Sequence, residues 1–222
     1  MSTLILGVVN SLAVTALTAA GGWVLSTRAR QWPITLLSRF TGLGIQRIYR
    51  QQKSANFSIP TELSRARWVK VPTGRGNELT RDGFISVWTR TGNRLKSVQI
   101  LLPNPSLGPE SWLARREADI QRVDPGIHPG LLAEQVRSNA SYVLEVARQR
   151  EKIALRFYDL PNIYRVIVTD NVAYLTIYSA TEHGRNSPCI VARRPGLMYD
   201  LALLLFSTAW NHGQPAKDVA NA

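Results

Sequence analysis

The chain has 222 residues, with 27 Lys and Arg against 15 Asp and Glu, a net charge of +12 and 45% hydrophobic residues. The single cysteine, Cys189, excludes an internal disulfide and suits a reducing compartment, and the histidines do not pair with it at zinc-ligand spacing. The basic excess favours anionic partners (lipid headgroups, nucleotides or nucleic acid) without choosing among them.

The charge is unevenly laid out. Met1 to Thr27 carries none; Arg28, Arg30, Arg39, Arg47, Arg50 and Lys53 follow; the first acidic residue is Glu62. A bilayer core of about 30 Å takes roughly 20 helical residues. Residues 3–27 are therefore expected to form one transmembrane helix. Basic residues stay on the cytoplasmic side, which puts the N-terminus out and the remainder in the cytoplasm, at a bacterial inner membrane. Basic residues placed after the apolar stretch argue against a cleaved signal peptide. Asn10, Ser11, Thr15, Thr18, Gly21 and Gly22 keep a buried core helix open as the other reading. Gly7 and Ser11, and Ala16 and Ala20, have the spacing at which membrane helices approach closely, and Asn10 needs a polar partner in lipid. Both features fit self-association and a homo-oligomer; an ordinary anchor, in which small residues are common, is the other reading.

Residues 28–62 read as a basic juxtamembrane helix and linker. Leu36, Leu37, Phe40, Leu43, Ile48 and Tyr49 fall near helical spacing between Ile34 and Lys53, with a break at Gly42 and Gly44. Ser54 to Thr61, with Pro60, reads as the linker. Residues 63–215 are expected to form the cytoplasmic domain and 216–222 a tail. Trp68 to Val71 is a strand, Pro72 to Asn77 a Gly-rich turn, and Glu78 to Arg90 a helix. Ser97 to Leu102 is a buried strand stopped by Pro103 and Pro105. Ser111 to Arg122 and Gly130 to Gln149 are helices. Ile153–Tyr158, Tyr164–Thr169 and Val172–Tyr178 alternate as strands do, and Asp170-Asn171 suits a tight hairpin turn with positive φ. Cys189 to Ala192 is a further strand, and Leu197 to His212 a helix ending at Gly213. Strands interspersed with helices, plus one hairpin, define an α/β sandwich with a mixed sheet. Trp68, Trp88, Trp112 and Trp210 read as packing residues.

Three stretches carry candidate chemistry. Thr73-Gly74-Arg75-Gly76-Asn77 lies between a strand and a helix, where backbone amides hold anions; it also suits a plain tight turn and lacks the full phosphate-loop or dinucleotide fingerprint. Glu182 to Ser187 is a polar loop with Arg185. His183 there, and His128 between prolines and glycines, have no visible base or metal partner. Ile163-Tyr164-Arg165-Val-Ile-Val-Thr-Asp170 places a basic and an acidic residue at the two ends of one strand.

That last stretch resembles the His-x-Lys-x4-Asp motif of phospholipase D-type enzymes. Further pieces occur in the family's order: Trp68-Val-Lys-Val with Gly74 and Gly76, Ile100-Leu-Leu-Pro-Asn-Pro105, Ala154-Leu-Arg-Phe-Tyr-Asp-Leu-Pro161, Ser187-Pro188, and Trp210 with Pro215. Together they resemble the non-catalytic phospholipase D-like domains of bacterial regulators, over roughly Leu63 to Pro215. Ile163 stands where the nucleophilic His would be, Arg165 at the phosphate-gripping Lys and Asp170 at the closing Asp. Isoleucine cannot attack phosphorus, so the resemblance implies no catalytic residue and no enzyme. It implies a phospholipase D-like α/β sandwich, no cofactor and no metal, and a ligand site of Arg165, Asp170, Arg156, Arg185, Ser187, Gly74 and Gly76. Guanidinium pairs bidentately with phosphate oxygens.

The expected function is a membrane-anchored sensor or effector that binds a nucleotide or other phosphorylated ligand and acts through its span, as effectors of bacterial antiviral defence do. A membrane-tethered scaffold for a protein or nucleic acid is the alternative, with nucleic acid the less favoured partner. A phosphodiesterase or phospholipase is the second alternative.

Overall fold

The computed structural model describes residues 27–80, 82–89, 94–122, 124–161, 163–178 and 184–216. The span expected over 3–27 lies, save Thr27, outside them. Among the described helices none is long and apolar enough to cross a membrane.

The elements in chain order are α1 (Thr27–Phe40), β1 (Ile45–Tyr49), α2 (Ile59–Arg65), β2 (Trp68–Pro72), α3 (Asp82–Trp88), β3 (Ser97–Pro103) and α4 (Trp112–Gln121). Then come α5 (Leu131–Arg148), β4 (Ile153–Tyr158), β5 (Tyr164–Thr169), β6 (Val172–Ile177), β7 (Cys189–Arg193), α6 (Leu197–His212) and β8 (Gln214–Pro215). One mixed eight-stranded sheet has the order β1-β7-β6-β5-β2-β3-β4-β8. β2, β3 and β4 run parallel and the other pairings are antiparallel.

Alternation along each strand sorts side chains to two faces. Val69 and Val71, Val98, Ile100 and Leu102, and Ile153, Leu155 and Phe157 meet α2, α3, α4 and α5 on one face. Leu101, Tyr158, Val166, Val168, Ala173 and Leu175 meet α6 on the other, through Tyr199, Ala202, Phe206 and Ala209. β3 has apolar residues for both faces and lies deep in the sheet, which explains its nearly unbroken run.

Two stretches differ from expectation. Residues 45–49 form a strand rather than the second half of a helix. Gly42 and Gly44 take φ of 71° and 72°, which ends α1 and turns the chain onto the sheet. The 54–61 stretch is a 3-10 turn (Gln52–Ser54) followed by the start of α2, with Pro60 in its first turn. Ala55 and Ile59 are buried in the core and the Gln52 N–H donates to the Ser187 carbonyl. The folded unit therefore begins well before residue 63, because β1 completes the sheet edge.

The Asp170-Asn171 turn also departs from expectation: no described non-glycine residue has positive φ. Thr169 Oγ1 instead accepts from the Asn171 and Val172 amides and Asp170 Oδ1 accepts from the Arg67 amide. The hydroxyl closes the turn, and left-handed backbone is not needed.

Gly44 clamps the start of α6. Gly196, before that helix, offers no side-chain cap. The Leu197 and Met198 amides donate to the Gly42 and Leu43 carbonyls, and the Arg193 amide to Gly44, satisfying helix N–H groups that would otherwise be orphaned. A Cβ on Gly44 would stand 2.7 Å from both the Arg193 oxygen and Gly196 Cα. Gly44→Ala is expected to cost about 1–3 kcal/mol for the positive φ alone, plus the clash. Denaturant unfolding should show this as a lower midpoint.

Tyr174 and Tyr199 donate to Ser58 Oγ (2.9 Å) and to the Thr169 carbonyl (2.7 Å). Burial, chiefly, pushes both phenols up to about 12. The folded state keeps these protons where the unfolded chain loses them, near 10. Their contribution is intact below about pH 10 and lost as pH rises toward 12. Melting temperature should therefore fall steeply over that window, and less steeply in Tyr174→Phe.

Candidate functional site

The parallel strands β2 to β4 end together, and the carboxyl edge of such strands is where open α/β sheets bind ligands. β5 runs antiparallel to β2, so its first residues lie at that same edge, beside the turn that follows β2. Arg165 is there. Its two-residue phase with Ile167 turns it toward the α2–α5 face, and it is only 9% exposed.

A cavity of about 1100 Å³ opens beside it. Among the described residues Lys53, Arg75, Arg116, Arg165 and Arg185 line it, against the carboxylates Glu78 and Asp124. Phe57, Phe84, Trp112, Ile120 and Ile127 supply apolar wall. The volume exceeds that of most small-molecule sites, about 300–1,000 Å³. Arg165 lies 3.6 Å from Glu78, and Thr73 Oγ1 donates to Glu78 at 2.6 Å. The Tyr178 phenol is pushed up to about 12 by burial first, with Arg165 opposing, Glu78 adding, and Arg75 and Arg116 opposing. These charges thus act at one place. Tyr178 stays protonated at neutral pH and can donate to an anion. The described lining contains no His, Cys or Ser.

The 73–78 turn is built from within. Gly76, at φ 80°, packs so tightly that a Cβ would meet Leu102 Cδ2 at 2.8 Å. Asn139 of α5 donates to the Arg75 carbonyl and to Asn77 Oδ1, each at 2.8 Å. Gly74 lines the cavity and Gly76 supports the turn behind it.

The remaining residues named from the sequence are dispersed. Arg185 lines the cavity. Ser187 is buried behind it, its carbonyl holding Gln52. Asp170 sits at the far end of β5, about 16 Å from Arg165 at roughly 3.3 Å per residue; it braces Arg67, and Glu78 takes the place beside the guanidinium. Arg156 is on the opposite face of the sheet. Odd-numbered residues of β4 face the α2–α5 core, so Arg156 points to α6, donates to the Trp210 carbonyl at 2.8 Å and lies 4.6 Å from that ring's centre. There it caps the carbonyl end of α6. Ile163 is 64% exposed, with no atom able to attack phosphorus. His183 lies outside the described residues.

Sequence reading missed Glu78, Asn139, Tyr178, Arg75, Arg116 and Lys53. Asn139 had a signal: it interrupts the apolar stripe of Leu132, Val136, Ala140 and Val143, and a polar residue on a buried face implies a specific hydrogen-bonding duty. The cations come from five separate segments, which no local motif links.

No family model matches this chain, and neither does any curated protein. Solved structures do. The chain is similar to TrmBL2, an archaeal chromatin protein described as showing a novel mode of DNA binding, at 14% identity and a TM-score of 0.46, over 94% of this chain and 67% of that one. It is also similar to Nuc of Salmonella typhimurium, a phospholipase D family member, at 14% identity and a TM-score of 0.40, over 76% of this chain and 95% of that one. Neither likeness assigns a role to any residue here.

Proposed function

We propose that this chain is a non-catalytic phospholipase D-like domain that binds a phosphorylated ligand in the basic cavity, held at a membrane by residues 3–27 and acting as a sensor or effector there. One observation carries the ligand reading: Arg165, the basic residue of the degenerate motif, is buried on a rigid strand and lines a cavity in which, among the described residues, cations outnumber carboxylates. A nucleotide suits the walls, with phosphates toward Arg165, Arg75 and Arg116 and an aromatic base against Phe84 or Trp112. The ordered motif pieces support the family reading. Ile163, at the position of the nucleophilic His, carries the non-catalytic part of the reading.

The test is calorimetric titration of the full chain in detergent with a panel of nucleotides and cyclic dinucleotides, alongside a phosphodiesterase assay. Binding without turnover is expected. Turnover lost in Arg165→Ala would overturn the non-catalytic reading. Absence of binding across the panel would favour the tethered scaffold. Alkaline washing that strips the chain from membranes would overturn the anchor.

A further inference from the structure

Helix α1 is amphipathic in the reverse sense. Three of its polar side chains face the protein: Gln31 Nε2 donates to the Ile48 carbonyl (3.3 Å), Thr35 Oγ1 donates to the Gln46 carbonyl (3.0 Å), and Ser38, 3% exposed, accepts from the Ile45 amide. The cause is β1. It is the outermost strand, and an unpaired edge needs hydrogen-bond partners. α1 lies along that edge and supplies them from its polar side. Its apolar side is left outward: Leu37 is 63% exposed and Phe40 83%, with Trp32 and Leu36 also exposed. The Leu197 amide donates to the Gly42 carbonyl, just beyond α1, so the start of α6 lies beside the end of α1, and Leu197, Leu201 and Leu204 are exposed along the first half of α6.

A surface of that extent in water is unfavourable and marks a contact. Its surroundings name the occupant. Arg39, Arg50 and Arg194 are exposed, against Asp200, the one carboxylate of α6 and also exposed, and the sequence before α1 has no acidic residue. Apolar side chains flanked by Arg, on a helix that follows an uncharged stretch, fit an anionic bilayer surface. We infer that the outer face of α1, continued by the N-terminal half of α6, lies in the headgroup–acyl boundary of an anionic membrane and fixes the orientation of the whole sheet. The ligand cavity is on the other face of the sheet from α6, so it stays open to water and takes a soluble ligand. This contact is independent of whether residues 3–27 span the bilayer.

The experiment uses the full chain carrying Cys189→Ser and one nitroxide label, on Leu37→Cys, Phe40→Cys, Leu204→Cys or, as control, Glu145→Cys on α5. Vesicles are phosphatidylcholine with or without phosphatidylglycerol. With phosphatidylglycerol, labels at 37, 40 and 204 should collide more with oxygen than with a water-soluble nickel complex, the label at 145 should do the reverse, and the contrast should shrink without it. Nickel access at 37, 40 and 204 equal to that at 145, in a chain that floats with the vesicles, would overturn the contact and leave the anchor standing. Shielding from both probes would mean that a second copy covers the face, which also overturns it. Flotation only with phosphatidylglycerol, with oxygen access retained, would support the contact and overturn the anchor.

Discussion

Arg165→Ala is expected to weaken binding of the phosphorylated ligand by about 2–5 kcal/mol, roughly 30-fold to several thousand-fold. Arg165 is 9% exposed, so the pairing of its guanidinium with a phosphate is screened little by water. It stands on β5, whose neighbours are buried, and is therefore held in place before the ligand arrives. Arg165→Lys keeps the charge and loses the two-pronged geometry, so an intermediate loss should appear. Glu78→Gln should act in the opposite direction. Glu78 shares Arg165 with any incoming anion at 3.6 Å, and glutamine keeps an acceptor for Thr73 while removing the competing charge. A gain of about 1 kcal/mol is the scale of one screened charge at that range. Arg156→Ala, on the other face, should leave affinity unchanged and lower stability only. Calorimetric titration of the four variants checks the set, and equal affinities for wild type and Arg165→Ala would leave the motif a purely structural role.

Phe206→Ala should produce the largest loss of stability, about 3–5 kcal/mol, because the ring leaves a cavity that the sheet cannot close. Phe206 is 1% exposed in the cluster with Leu101, Tyr158 and Ala209. Its ring stacks on Trp210 at 5.5 Å between centroids, and the Lys70 ammonium lies 5.3 Å from its centre. Typical domains are stable by only about 5–15 kcal/mol, so the variant should unfold at a much lower denaturant midpoint with its slope unchanged. Phe206→Leu, which refills most of the space, should recover much of the loss.

The strands were largely legible because period-two alternation and bounding turns are local signals. Ser111 was legible as the start of a helix for the same reason: its hydroxyl accepts from the Ala114 amide. Residues 45–49 were not legible as a strand, since Ile45, Ile48 and Tyr49 fit helical spacing as well as an edge strand with a register shift. Motif order alone groups Asp170 and Arg156 with Arg165. Strand length separated the first from it, and strand phase the second.

The charge asymmetry, the mixed α/β character, the β5–β6 hairpin and the prominence of Arg165 are local properties, because each depends on residues close together in the chain. What surrounds Arg165 and which way α1 faces are set by long-range packing. Lys53, Arg75, Arg116 and Arg185 converge only when the sheet order brings their segments to one edge. The outward turn of Phe40 and Leu37 follows from the hydrogen-bonding demand of β1, an edge that exists only once the sheet is assembled.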